Sequence, residues 1–237
     1  MNVGAIIAPT KWDYFEGDPC VTAAIRNDRD DLAKLVGPMV DQLYVITDYV
    51  KADEFKYTHY GWASMNLKAE DKLYLFFINH GMKTGDGRYQ EESLCFSDEP
   101  LPDRDFYWCI TNLKCDVFPF IIACFSGGQV LGPETINHSP IVTPEMHTLA
   151  RSQWRGNVVS FLSSGRYEFS WVQNWRKSVY AMALEAALFE KKLPNNIIEA
   201  YNLQVTILDQ YYWLCSEDIE SWVCERETPI FNALIRR

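Results

Sequence analysis

The stretch Phe118–Gly128, FPFIIACFSGG, carries a run of apolar residues to a cysteine and then turns at once into Ser126-Gly127-Gly128. A short apolar run bounded by turn residues reads as a buried strand. Such a strand needs no thiol at its carboxyl end and no paired glycines behind it. A free cysteine is most often a small core residue. Whether Cys124 is more than that depends on which other reactive side chain the fold brings beside it.

A second run of the same kind, Leu73–Gly81 (LYLFFINHG), ends on Asn79-His80-Gly81. Shorter runs at Val3–Ala8, Leu43–Thr47 and Asn157–Leu162 have the same character, and a small strand is expected around Leu94–Phe96. Pro119 is expected to interrupt the 117–123 strand early, because proline has no ladder donor. Between these runs lie helical patterns: up to Val36 with Gly37 as a stop, Asp105–Leu113, Lys177–Lys192 before Pro194, and Asn196–Trp213. Residues 129–156, rich in proline and without period, read as a long exposed loop, the first place an added protease would cut. Strands alternating with helices predict an α/β fold, a mainly parallel central sheet with helices on both faces. No repeat or linker divides the chain, so one domain over 1–237 with no prodomain is expected.

In open parallel sheets, functional groups gather outside the carboxyl ends of the strands. His80 and Cys124 both occupy such ends. An imidazole and a thiol over one sheet edge are the equipment of cysteine peptidase chemistry: the thiol attacks a carbonyl and the imidazole passes a proton to the leaving amine. Gly81 lets backbone approach a substrate, so its N–H and that of Cys124 are candidates for an oxyanion hole. Gly127 and Gly128 leave room for a peptide.

These two elements, YLFFINHG and FPFIIACFSGG, resemble the His-Gly and Cys-x-Ser-Gly pair of the caspase-like cysteine peptidases, the superfamily of caspases, metacaspases, paracaspases and legumains. The context of Cys124 is nearer the metacaspase and bacterial legumain-like form than the caspase one. VGAIIA, IRNDRDDLAKLV, SLCFSDEPLPDRDFYWCI, NVVSFLSSGRYEFSW, WRKSVYAMALEAAL and ETPIF resemble successive elements of that family. The resemblance implies a caspase-like fold and endopeptidase activity, with Cys124 as nucleophile and His80 as general acid/base. It implies no preformed thiolate–imidazolium pair. It also implies a specificity pocket drawn from Arg26, Asp28, Ser163 and Ser164. One position departs: Ile122 stands where metacaspases have an Asp that helps bind a basic substrate side chain. Two other classes stay open on sequence, a non-catalytic interaction module of this fold and a thiol hydrolase or transpeptidase acting on another amide.

Composition narrows the partners. The 237 residues are 48% apolar and carry a net charge of −10, which disfavours nucleic acid and anionic membranes. No stretch approaches the length of a membrane span, and the first residues do not read as a signal peptide. Seven cysteines without C-x-x-C spacing then read as reduced thiols in a cytoplasmic protein, and the sequon at Asn137 as a chance match. A polypeptide substrate is the expected partner, with a homodimer or a regulatory protein left open. Tyr211-Tyr212-Trp213 reads as core or subunit contact.

No cofactor and no metal are expected. The four histidines lack H-x-x-x-H spacing, no G-x-G-x-x-G is present, and Ser126 lacks the glycine two before it that a nucleophile elbow needs. Calcium is left open by the acidic residues Asp86, Glu91 and Glu92 near His80.

Overall fold

The computed structural model describes residues 1–84, 91–124, 156–164, 172–173, 177–217 and 229–234. Its main sheet has six strands: β1 (Asn2–Pro9), β2 (Gln42–Asp48), β3 (Lys72–Ile78), β7 (Asp116–Ile122), β8 (Val158–Leu162) and β11 (Ile230–Leu234). They lie in the order β11-β8-β7-β3-β1-β2, all parallel except β11, which pairs antiparallel with β8. Three short strands, β4 (Gly81–Thr84), β5 (Glu91–Cys95) and β6 (Pro100–Pro102), form an antiparallel sheet of their own, and β9 (Val172–Gln173) pairs with β10 (Lys177–Ser178).

Helices cover both faces. On one face pack α1 (Pro19–Val36), α4 (Val179–Lys191) and α5 (Ile197–Glu217), against Ile6, Phe76, Phe120 and Phe161 of the strands. On the other lie α2 (Tyr60–Asn66), a π-helical turn (Glu54–His59) that leads into it, and α3 (Asp103–Thr111), against Val3, Leu75, Phe77 and Ile121. The alternation of these two sets along each strand is the period-two geometry of a sheet buried on both sides. This is an α/β three-layer architecture, as the alternating strand and helix patterns predict.

Local chemistry sets the helix ends. Asp18 caps α1 by accepting from Cys20 N–H at 2.7 Å, and Pro19 occupies the first turn, where its missing N–H costs nothing. Ser178 caps α4 through Ala181 N–H, and Asn196 accepts from Ile198 and Glu199 N–H at the start of α5.

The central strands are held in register by stacked rings. Phe76 lies 4.7 Å from Phe120, and Phe120 lies 4.3 Å from Phe161, each pair tilted by only 8°. These three residues are partners in the β3–β7–β8 ladder. A one-residue slip would turn this ladder to the opposite face.

Pro119 does not interrupt β7 as expected. Its neighbours Asp116–Ile122 stay paired with β3 throughout, including Leu75 opposite Pro119. Toward β8 the paired positions are Val117, Phe120 and Ile121 only. The missing donor falls where the β7–β8 ladder is already broken, so the strand continues. The expected loop 129–156 lies, apart from Gly156, outside the described residues.

Two further differences are local. Residues 49–71, for which periodicity gives no expectation, hold the π-helical turn and α2, and the carboxyl-terminal segment carries β11. Cys215, expected as a free thiol, is disulfide-bonded, while Cys20, Cys95, Cys109, Cys115 and Cys124 are free. No helix of the described residues is long and apolar enough to cross a membrane.

Candidate active site

β3 and β7 are adjacent and parallel, with Ile78 opposite Ile122. Carrying that register two residues on places His80 level with Cys124, both just past the carboxyl ends of their strands. The same offset of 44 residues runs from Lys72↔Asp116 to Ile78↔Ile122, so the alignment is a property of the whole ladder. Adjacent strands lie about 4.8 Å apart, a spacing that sets the two residues over one edge of the sheet.

Hydrogen bonding beyond the strands continues this arrangement. Asn79 N–H donates to Ile122 O at 3.1 Å, the last rung between β3 and β7. One residue further, the backbone of Ala123 faces the other way, toward β8: its N–H donates to Ser163 Oγ at 3.1 Å. Its carbonyl accepts from Ser163 Oγ at 3.1 Å and from Ser164 Oγ at 3.0 Å. At Cys124 the backbone turns back toward β3. A β-carbon on Gly81 would stand 1.8 Å from Cys124 O and 3.4 Å from Cys124 N. Glycine is therefore required at 81: any side chain would collide with the backbone of the candidate nucleophile.

His80 is held by the segment that leaves β1. Trp12 and Phe15 meet its ring edge-on, with centroids at 5.1 and 5.4 Å, and stack on each other at 4.8 Å. His80 Nε2 is buried with no hydrogen-bond partner among the described residues. Burial lowers the pKa of the imidazole below 6.5, with Asp18 opposing weakly, so the neutral ring prevails at pH 7. An orphaned ring nitrogen calls for an explanation, and a proton-transfer role toward a bound reactant supplies one.

A second thiol lies beneath. Cys95 N–H donates to His80 O at 3.0 Å, and the Asn79 side-chain amide donates to Cys95 O. Burial pushes the Cys95 thiol up to about 11, with the nearby Cys124 adding to the shift. Among the described residues the Tyr14 hydroxyl has no oxygen or nitrogen partner, and its neighbour is this sulfur. Of the described free cysteines, Cys95, Cys109 and Cys115 are buried, whereas Cys124 is partly exposed at the sheet edge.

Trp12, Tyr14, Phe15, Asn79 and Cys95 escape a reading of the sequence. The available signal was the aromatic run WDYF directly behind a strand end, since strand-end segments face the crevice.

Of the four residues expected at a specificity pocket, three are buried and one is exposed. Arg26 is exposed on α1. Asp28 is buried on the same helix, and its carboxylate accepts from Ser178 N–H at 3.1 Å, at the start of α4. Burial raises its pKa well above 3.8. Ser163 and Ser164 are wholly buried and bonded to Ala123. Ile122 is buried in the core of the α1–α4 face.

Asp86 lies outside the described residues, and Glu92 is buried on β5. Among the described residues, no group of three His, Cys, Asp or Glu side chains is arranged to hold a metal ion.

A separate apolar cavity of about 310 Å³ lies between β1–β3 and the α2–α3 layer, lined by Ile7, Leu75, Phe55, Trp62 and Ile110 among others. None of its lining residues belongs to the β3 and β7 ends.

No protein-family model and no curated protein sequence matches the chain. Solved structures do. Caspase-1 from Spodoptera frugiperda superposes with a TM-score of 0.65 at 17% identity, covering 98% of this chain and 85% of the caspase. Protein GSU0716 from Geobacter sulfurreducens gives a TM-score of 0.66 at 14% identity, covering 98% and 92%. At such identities the likeness is one of fold: a mostly parallel sheet between two layers of helices, in the caspase-like arrangement.

Proposed function

We propose that the chain is a cysteine endopeptidase, with Cys124 as nucleophile and His80 as general acid/base. The observation that carries this reading is the register of β3 and β7: extended two residues, it brings a buried imidazole nitrogen, without a hydrogen-bond partner among the described residues, level with a partly exposed thiol. The caspase-like fold and the metacaspase- and legumain-like motifs around His80 and Cys124 support the same reading.

In the reaction, Cys124 Sγ attacks the scissile carbonyl carbon as its proton passes to His80 Nε2. The carbonyl π pair moves to oxygen, where the N–H groups of Gly81 and Cys124 stabilise the oxyanion. Collapse expels the amine, which takes the proton from His80, and leaves a thioester on Cys124. Water, deprotonated by His80, then attacks the thioester; the C–S bond breaks, the acid is released and His80 returns the proton to Cys124 Sγ. The neutral resting imidazole suits the first of these steps. Trp12 and Phe15, packed edge-on against the ring, fix its orientation.

Asp28 is spent on Ser178 and Ile122 is apolar, so neither offers a carboxylate to a basic substrate side chain. Labelling by an irreversible peptidyl electrophile tests the reading. Cys124 should be modified in the wild type, and His80→Ala should slow the labelling while the protein stays folded. An unlabelled Cys124 would favour a non-catalytic module of the same fold.

A further inference from the structure

Ser163 and Ser164 hold the backbone of Ala123, the residue that precedes the candidate nucleophile. Ser163 Oγ accepts from Ala123 N–H and donates to Ala123 O, Ser164 Oγ donates to the same carbonyl, and Ser163 N–H donates to Ile121 O at 2.9 Å. Both serines are wholly buried, immediately beyond the carboxyl end of β8. Two hydroxyls on one carbonyl are more than a strand end needs, since a single partner satisfies a buried C=O.

The carbonyl they hold belongs to the Ala123–Cys124 peptide. That unit is planar and trans, so its C=O and N–H point in opposite directions. With the Ala123 carbonyl fixed toward β8, the Cys124 N–H is aimed toward β3, the side where Gly81 packs on Cys124. Hydrogen bonds accepted by a peptide carbonyl also polarise the N–H of the same unit, and a buried setting strengthens the effect.

We infer that Ser163 and Ser164 are positioning residues, a buried serine clamp that orients and polarises the Cys124 N–H as an oxyanion donor. This rests on the peptidase reading and adds to it. In this role the serines act through the backbone of the nucleophile, a different task from the specificity pocket that the resemblance implies for them.

The clamp predicts a split between two reactions at one sulfur. Acylation by a peptide builds an oxyanion, whereas alkylation by iodoacetamide displaces iodide from a saturated carbon and builds none. In Ser163→Ala and Ser164→Ala, kcat for the best substrate from a positional-scanning peptide library should fall about 10-fold or more. KM should stay nearly constant, and the iodoacetamide rate at Cys124, read by mass spectrometry, should match the wild type. Unchanged kcat overturns the clamp and leaves the peptidase reading standing. An equal fall in kcat and alkylation also overturns it, because the serines would then merely hold the site together. A wild type that alkylates but cleaves no peptide in the library removes the peptidase reading and the clamp with it. Should Ser163→Ala not fold, Ser164→Ala decides, since it leaves both Ser163 bonds to Ala123 in place.

Discussion

Gly81 packs so closely on Cys124 that a β-carbon at residue 81 would stand 1.8 Å from the Cys124 carbonyl oxygen. Real β-carbons do not approach within 3.0 Å, so Gly81→Ala must push the two strand ends apart by more than an ångström. A displacement of that size costs about 10²-fold in catalysis. Gly81→Ala should therefore lose about 10²-fold in kcat/KM and melt at a lower temperature. Gly61 is the control, since nothing lies within 4 Å of its β-carbon position in α2. Gly61→Ala should keep full activity and gain up to about 1 kcal/mol of stability, measured by denaturant titration.

Burial lowers the His80 pKa below its usual 6.5. The neutral ring, the form that the proposed reaction needs, therefore persists to lower pH than in an exposed histidine. The acid limb of kcat/KM should have its midpoint below pH 6.5. The same shift bears on stability: the unfolded chain binds a proton at a higher pH than the folded one, so this contribution is lost as pH falls below 6.5 toward the folded pKa. A pH–rate profile alongside melting curves checks both, and an acid limb above 6.5 would assign the base elsewhere.

Asp28 runs the opposite way. Its folded pKa is raised by burial, with Glu185 and Asp31 adding to the rise and Ser178 N–H and Lys177 opposing it. The folded state then holds a proton that the unfolded state has lost, so stability falls as pH rises from the usual 3.8 toward the folded value. Asp28→Asn keeps an acceptor for Ser178 N–H and removes the ionisation. Its melting temperature should depend less on pH above 4 than that of the wild type. An unchanged slope would mean that Asp28 titrates normally.

The ring ladder makes a plain stability prediction. Phe120 is wholly buried between Phe76 and Phe161, so Phe120→Ala should cost about 3–5 kcal/mol by denaturant unfolding.

Much of this was legible in the sequence because β3 and β7 are buried on both faces and read as unbroken apolar runs. Each run leads to a reactive residue, which marked His80 and Cys124 as strand-end candidates, but that the two strands are neighbours at an offset of 44 residues is given by the pairing. What was not legible depends on distant partners. Asp28 meets Ser178, 150 residues away, and the pattern of α1 shows only that it faces inward. β11 pairs with β8 across nearly 70 residues and carries Pro229 and Asn232 around a short apolar stretch. The π-helical turn at Glu54–His59 has no 3.6-residue period to find. Pro119 misled because the side of the strand that its missing donor faces is set by the neighbouring strand, which local sequence does not name. The packing of Trp12 and Phe15 on His80 is likewise a contact of the fold.

The central claim is that Cys124 is the nucleophile of an endopeptidase. Its most direct test is turnover of a positional-scanning peptide library by wild type, Cys124→Ala and Cys95→Ala. The wild type should cleave, Cys124→Ala should show no turnover, and Cys95→Ala should keep most of it, because the buried Cys95 thiol, with its pKa pushed up to about 11, is held un-ionised. Undiminished cleavage by Cys124→Ala would contradict the account.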